Sequence, residues 1–243
     1  NTTGTNNISM GVSALSTNTT ASSNTALGTA ALRRNTTGPS NTAVGHQAMD
    51  SNTTGFENVA SGYRALYNNT SGETNTAIGT EALRDNQTAD NNTAVGKSAL
   101  MSNTTGELNT AVGRGALDAS TTAEYNVAVG KDAGSTLTTG SYNAVLGTFA
   151  LRDSTTAARS VAIGTSALQN NVSGGDNTAV GSNCLTSTTG NNNTAIGYAS
   201  GNANTSGSQN TFVGRDSGKN VTTGTNNTVL GDNTSASSAT VSN

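Results

Sequence analysis

His46 is the only histidine and Cys184 the only cysteine in 243 residues, and they stand more than a hundred positions apart. A nucleophilic thiol needs a base within hydrogen-bond reach, and a zinc site needs several nitrogen or sulfur ligands. One of each, so far apart, meets neither requirement. His46 follows Gly45 at a position that equivalent segments fill with Thr29, Thr80, Lys97 or Arg114, which reads as surface. Cys184 stands where Ala150 and Ala167 stand elsewhere, so its expected role is packing, and a single cysteine forms no disulfide within the chain. Asp50, Asp85, Asp118, Asp132 and Asp153 are the carboxylates to weigh for calcium or for sugar cleavage. They are scattered over several columns of the repeat, the stacked Gly-Gly-x-Gly-x-Asp turn is missing, and no recurring pair offers an acid and a base on adjacent coils. Arg33, Arg64, Arg84, Arg114, Arg152 and Arg215 do not line up as a basic stripe, and few aromatics accompany them, which argues against nucleic acid. Asn35, Asn52, Asn103 and Asn204 open Asn-x-Ser/Thr sequons, but the turn sequence itself generates these. No catalytic, cofactor-binding or metal-binding residue is assigned; the expectation is a protein that is not an enzyme and carries no cofactor.

The elements that hold these residues come from an unusual composition. Charged residues are 10% and aromatics 3%, and Gly, Ala, Ser, Thr and Asn dominate, so no conventional three-dimensional core of large side chains is available. The formal net charge of -3 is too small for the usual disordered composition. No run of 18 apolar residues exists, so no transmembrane helix and no membrane insertion is expected.

Self-similarity supplies the organisation. Gly11, Gly28, Gly45, Gly62, Gly79, Gly96, Gly113, Gly130, Gly147, Gly164, Gly181, Gly197, Gly214 and Gly231 close equivalent segments; twelve of the thirteen spacings are 17 and one, Gly181 to Gly197, is 16. The unit reads Asn-Thr-Ala-(Val/Ile)-Gly, two variable residues, Ala-Leu, two variable, Asn-Thr-Thr-Gly, two variable. Seventeen residues are too few for a helix pair and suit a coil of short strands. The expected fold is an all-β parallel β-solenoid of about fourteen 17-residue coils over 1–231, with a Ser/Thr-rich end of the solenoid or connection over 232–243. At roughly 4.8 Å per coil that is a rod on the order of 65 Å. Each coil is expected to hold two short strands and two turns, and the shortened unit to tighten its turn near Thr186–Thr189 while keeping its strands.

Stacking turns each position into a column. The reading places Val44, Ile78, Val95, Val112, Val129, Ile163 and Val180 as an inner β-branched spine, facing a second stripe of Leu32, Leu66, Leu83, Leu100, Leu117, Leu151 and Leu168. The Asn column, broken only by Ser160, is expected to pair amides from coil to coil and satisfy the backbone at a corner. Gly38, Gly55, Gly72 and Gly106 are expected at positive φ, although Ala21, Ala89, Ala123 and Ala157 share their column. Alternation along a strand puts Ala43 and Val44 on opposite faces, so both faces carry apolar residues. Ala60, Ala77, Ala94, Ala111 and Ala128 are accordingly placed outside, lining a close lateral contact between chains.

Segments such as Asn75-Thr-Ala-Ile-Gly79 and Ser160-Val-Ala-Ile-Gly164 resemble the head repeats of trimeric autotransporter adhesins, and closely similar repeats occur in phage tail fibres. The resemblance runs from Asn7 to about Gly231 and implies a left-handed parallel β-roll assembled as a homotrimer. The unit is longer than the usual adhesin head repeat, and no coiled-coil stalk or membrane anchor is present, which ranks the tail fibre first. The expected function is a structural and adhesive fibre segment, extracellular on a virion or cell surface, contacting a host glycan or protein through residues the sequence does not identify. The alternative is an ice-binding solenoid, motivated by Thr36-Thr37, Thr53-Thr54, Thr104-Thr105, Thr121-Thr122, Thr138-Thr139 and Thr155-Thr156.

Overall fold

A computed structural model describes residues 2–235. Over the described residues the chain is a parallel β-solenoid of about thirteen turns with fourteen parallel strands and no helix. Positions 236–243 of the expected terminal segment lie outside the described residues. Two compact units are distinguished, the first ending at Glu124 and the second beginning at Tyr125. The first holds β1 (Ile8–Met10), β2 (Thr25–Leu27), β3 (Thr42–Val44), β4 (Val59–Ser61), β5 (Thr76–Ile78), β6 (Thr93–Val95) and β7 (Thr110–Val112). The second holds β8 (Val127–Val129), β9 (Ala144–Leu146), β10 (Val161–Ile163), β11 (Thr178–Val180), β12 (Thr194–Ile196), β13 (Thr211–Val213) and β14 (Thr228–Leu230). Within each unit consecutive strands pair in parallel one repeat apart, as in Ala43 opposite Ala60 and Ala162 opposite Ala179.

Each coil contributes one strand of three residues, where two were expected. The Ala-Leu segment is a turn instead, because its leucine is left-handed: Leu32 has φ 47°, Leu66 52° and Leu83 50°. A left-handed non-glycine residue costs roughly 1–2 kcal/mol. In the coil of β3 three occur, Ser40, Gln47 and Met49, and each points its N–H at a neighbouring coil, to the carbonyls of Ser22 (3.0 Å), Thr29 (2.9 Å) and Ala65 (3.0 Å). The strain is thus tied to the bonds that stack the coils. The turn also explains how Ala31 and Leu32, adjacent in sequence, are both fully buried; period-two alternation holds in strands only.

The two faces of the strand are the reverse of the sequence expectation. Ala26, Ala43, Ala60, Ala77, Ala94, Ala111 and Ala128 are all 0% exposed and line the interior, whereas Val44 and Ile78 are 37% and 42% exposed. The interior is narrow: the leucine turn and two asparagine columns converge on it, and from β2 to β7 an alanine stands opposite them. The β-branched residues therefore occupy the outer face of the sheet. The Leu stripe itself is interior, as expected.

Glycine placement differs too. Gly38, Gly55, Gly72 and Gly106 are not left-handed. It is the glycine closing each strand that has positive φ, 133° at Gly45, where a Cβ would stand 2.6 Å from the Gly62 carbonyl oxygen.

Two ladders of buried amides complete the interior. In the expected one, Asn41 Oδ1 accepts from the Asn58 N–H (3.0 Å) and Asn41 Nδ2 donates to the Gly55 carbonyl (2.8 Å), a pattern that recurs at Asn75 and Asn92. The second is formed by the asparagines of the Asn-Thr-Thr turns: Nδ2 of Asn52, Asn69, Asn86 and Asn103 each donates to Oδ1 of the asparagine one coil earlier at 2.8–3.0 Å and to a carbonyl three residues ahead. Buried amides cost little only when bonded, and here stacking supplies the partners.

The second unit keeps its interior filled through exchanges between columns. Gly201 and Gly218 stand in the leucine column, and the ring of Phe212, in the alanine column, occupies the space they leave; a Cβ on Gly201 would lie 2.7 Å from Phe212 Cδ2, and one on Gly218 would collide with the ring. Gly134 also stands in the leucine column, and three residues later Leu137 replaces an asparagine and is fully buried. The shortened unit behaves as expected: β11 and β12 pair in register, the Thr178 N–H donates to the Asn193 carbonyl (2.8 Å), and the missing residue falls in the turn at Thr188–Gly190.

Candidate functional surfaces

The outer face of the sheet is a file of threonine and aliphatic residues. In the first unit it runs through Thr42/Val44, Val59/Ser61, Thr76/Ile78, Thr93/Val95 and Thr110/Val112, and in the second through Val127/Val129 to Thr228/Leu230, with Val127, Leu146 and Ile196 exposed. Among the described residues the hydroxyls of Thr42, Thr76, Thr93 and Thr110 make no hydrogen bond with another protein group. The turn threonines differ. Thr36 Oγ1 donates to the Thr53 carbonyl (3.0 Å), Thr53 to Thr70 (2.9 Å) and Thr104 to Thr121 (3.0 Å), so the first hydroxyl of each Thr pair is a coil-to-coil link.

Residues singled out for chemistry are dispersed. Cys184 is fully buried in the small-residue column with its Sγ 3.2 Å from the Ala195 carbonyl, and burial pushes its thiol up to about 12. Ser200 and Ser217, in the same column, donate to the Phe212 and Val229 carbonyls at 3.0 and 2.8 Å, which shows the position to be structural. Asn35, Asn52, Asn103 and Asn204 are 0% exposed, so these sequons are inaccessible in the folded chain. Asp50 is buried and ion-paired with Arg33, whose Nη2 donates to Oδ2 (2.8 Å); Arg84 grips Asp85, and Arg152 grips Asp153. Arg159 and Arg215 form bidentate pairs one coil away with Asp176 and Asp232, hydrogen bonding that holds both carboxyls below their usual range. Among the described residues no three His, Cys, Asp or Glu side chains gather as a metal site.

Stacking brings aromatic rings together where the sequence reading saw variable positions. His46 and Tyr63 stack at 5.6 Å, and Arg64 lies 5.2 Å from the ring centres of both Tyr63 and Tyr67. In the second unit Tyr125 and Tyr142 stack at 4.9 Å and 5°. The signal was the spacing: each stacked pair is 17 residues apart. Elsewhere in the first unit an open groove of about 440 Å³ is lined by Arg34, Ser51, Thr53, Asn68, Thr70 and Gln87.

No protein-family model matches the chain, and comparison with curated proteins and with solved structures finds no match. No helix among the described residues is long and apolar enough to cross a membrane.

Proposed function

We propose that the chain is a structural segment of a fibre, of the tail-fibre or adhesin kind, that assembles as a homotrimer at an extracellular or virion surface. The observation that carries this reading is the outer strand face: β-branched aliphatic side chains, in register from coil to coil, project from the sheet although the interior is already full. Such an apolar stripe, broken in the first unit only at Ser61, favours a lateral partner, and a partner with the same repeat presents the same spacing. The contact residues are Val44, Ile78, Val95 and Val112 with their threonine neighbours, in place of the alanines first assigned to that role. Analytical ultracentrifugation tests it. The unmodified chain is expected to sediment at three times its 24.1 kDa mass. Ile78→Glu with Val95→Glu is expected to keep its β circular dichroism and sediment as a monomer, because both side chains project outward and a charge there is costly only when covered. A stable folded monomer before any substitution overturns the trimer.

The unoccupied hydroxyls of Thr42, Thr76, Thr93 and Thr110 favour ice binding as a second reading, with the flat strand face replacing the Thr-Thr turns as the ordering surface. Thermal hysteresis by the unmodified protein, abolished by Thr76→Tyr with Thr93→Tyr, would establish that reading over the first.

A further inference from the structure

The groove of the first unit has a structural origin. Between the column of Arg34, Ser51 and Asn68 and the column of Thr53, Thr70 and Gln87, the intervening residues are the inward-facing Asn35, Asn52, Asn69 and Asn86, so nothing projects outward along that line. The hollow crosses three coil steps, roughly 14 Å at a spacing of about 4.8 Å. Its volume of about 440 Å³ lies within the range of small-ligand sites.

Its hydrogen-bonding groups divide into used and unused. The Thr53 and Thr70 hydroxyls donate to the Thr70 and Gln87 carbonyls at 2.9 and 3.0 Å, and Asn68 Nδ2 donates to Asp85 (3.0 Å). That leaves the Asn68 amide oxygen, the Ser51 hydroxyl, the Gln87 amide and the Arg34 guanidinium. Arg34 reaches Ser51 Oγ only at 3.5 Å and has no carboxylate partner among the described residues, whereas neighbouring Arg33 is ion-paired with Asp50.

We propose that this groove binds an acidic oligosaccharide, one ring per coil step, with its carboxylate on Arg34 and its hydroxyls on Ser51, Asn68 and Gln87. Mixed donors and acceptors at a regular spacing suit a hydroxyl-rich chain, and a lone unpaired guanidinium suits a single carboxylate, which it can grip with two parallel bonds. A nucleic acid needs a row of cations that the groove lacks. The proposal deepens the adhesive reading and rests on it, and none of the groove's residues lies in a strand.

The test is calorimetric or NMR titration of the full chain with sialyllactose, which carries one carboxylate, and with lactose as its uncharged counterpart. Saturable binding of sialyllactose is expected, with lactose weaker by about tenfold. Arg34→Gln is expected to bring sialyllactose down to the lactose level, and Gln87→Ala to weaken both sugars; both side chains are exposed, so the variants keep the parent circular dichroism. Absence of saturable binding, equal binding of the two sugars, or indifference to both substitutions overturns the proposal. Sedimentation of the same samples separates the two ideas: a trimer that ignores sialyllactose defeats the groove alone, and a monomer that binds it defeats the assembly alone.

Discussion

Asn75 shows what an inward asparagine does that the one substitute in its column cannot. Its Oδ1 takes the Asn92 N–H at 3.0 Å and its Nδ2 reaches the Ala89 carbonyl at 2.8 Å, so one side chain ties two coils at two points. Ser160, the one substitute in that column, manages a 3.3 Å bond to the Asn177 N–H and turns its own proton back to Ala158 in the same coil. Asn75→Ala is expected to destabilise by about 1–3 kcal/mol, the cost of a buried N–H left without an acceptor, and Asn75→Ser by less; urea denaturation measures both. Cys184 makes a prediction against pH. Its thiol is held up to about 12 by burial, from an ordinary 9.0, so below pH 9 it is protonated in both states and contributes no pH dependence. Between 9 and about 12 the unfolded chain loses the proton first, and stability falls as pH rises. Cys184→Ala is expected to remove that alkaline loss, and thiol-specific reagents are expected to label Cys184 only on unfolding.

At the scale of the element, the exchange between columns in the second unit is open to a direct test. Phe212→Ala should cost about 3–5 kcal/mol, since the two glycines facing the ring cannot fill the cavity. Gly218→Leu alone should be destabilising because the new side chain meets the ring, yet Phe212→Ala with Gly218→Leu recreates the common alanine–leucine arrangement and should recover much of the loss. Gly218 already has φ 73°, and leucines elsewhere in that column accept φ near 50°, so the backbone does not forbid it. Thermal unfolding of the four proteins gives the coupling. The same columns show where sequence reasoning succeeds and stops. A glycine every 17 residues reveals the coil, the Asn ladder and the place where a deletion is absorbed. Alternation reveals that Ala77 and Ile78 face opposite ways, but hydrophobicity chose the larger residue for the inside. Interior width decides that choice, and it depends on Leu83 and two amide columns converging from turns. Leu83 in a left-handed turn was equally hidden, since leucine has no intrinsic preference for that conformation; only the inter-coil bond of its N–H to Ala99 (3.0 Å) accounts for it. Of the candidate surfaces, the strand face was half legible, as an apolar column with the wrong side assigned. The groove was not, because Arg34, Ser51 and Gln87 become neighbours only once the coils are stacked.

At the scale of the whole molecule, contacts within each unit run from each coil to the next. Stability then sums over coils and their immediate interfaces, so damage should stay local. Ala77→Glu puts a carboxylate into the interior beside Leu83 and the alanines of β4 and β6, with no cation there to pair it. The expected result is expulsion of β5 and loss of its bonds to both neighbours, in place of the harmless surface change that an outward alanine would have given. Hydrogen exchange followed by mass spectrometry should show peptides covering β4 to β6 exchanging at least a hundredfold faster, in keeping with a local loss of about 3 kcal/mol or more. Peptides covering β9 to β13 in the second unit should stay within about threefold of the parent, because in a nearest-neighbour account damage reaches only the coils adjoining β5. If protection were lost equally across both units, the solenoid would be a single cooperative block, and the nearest-neighbour account of its stability would have to be abandoned.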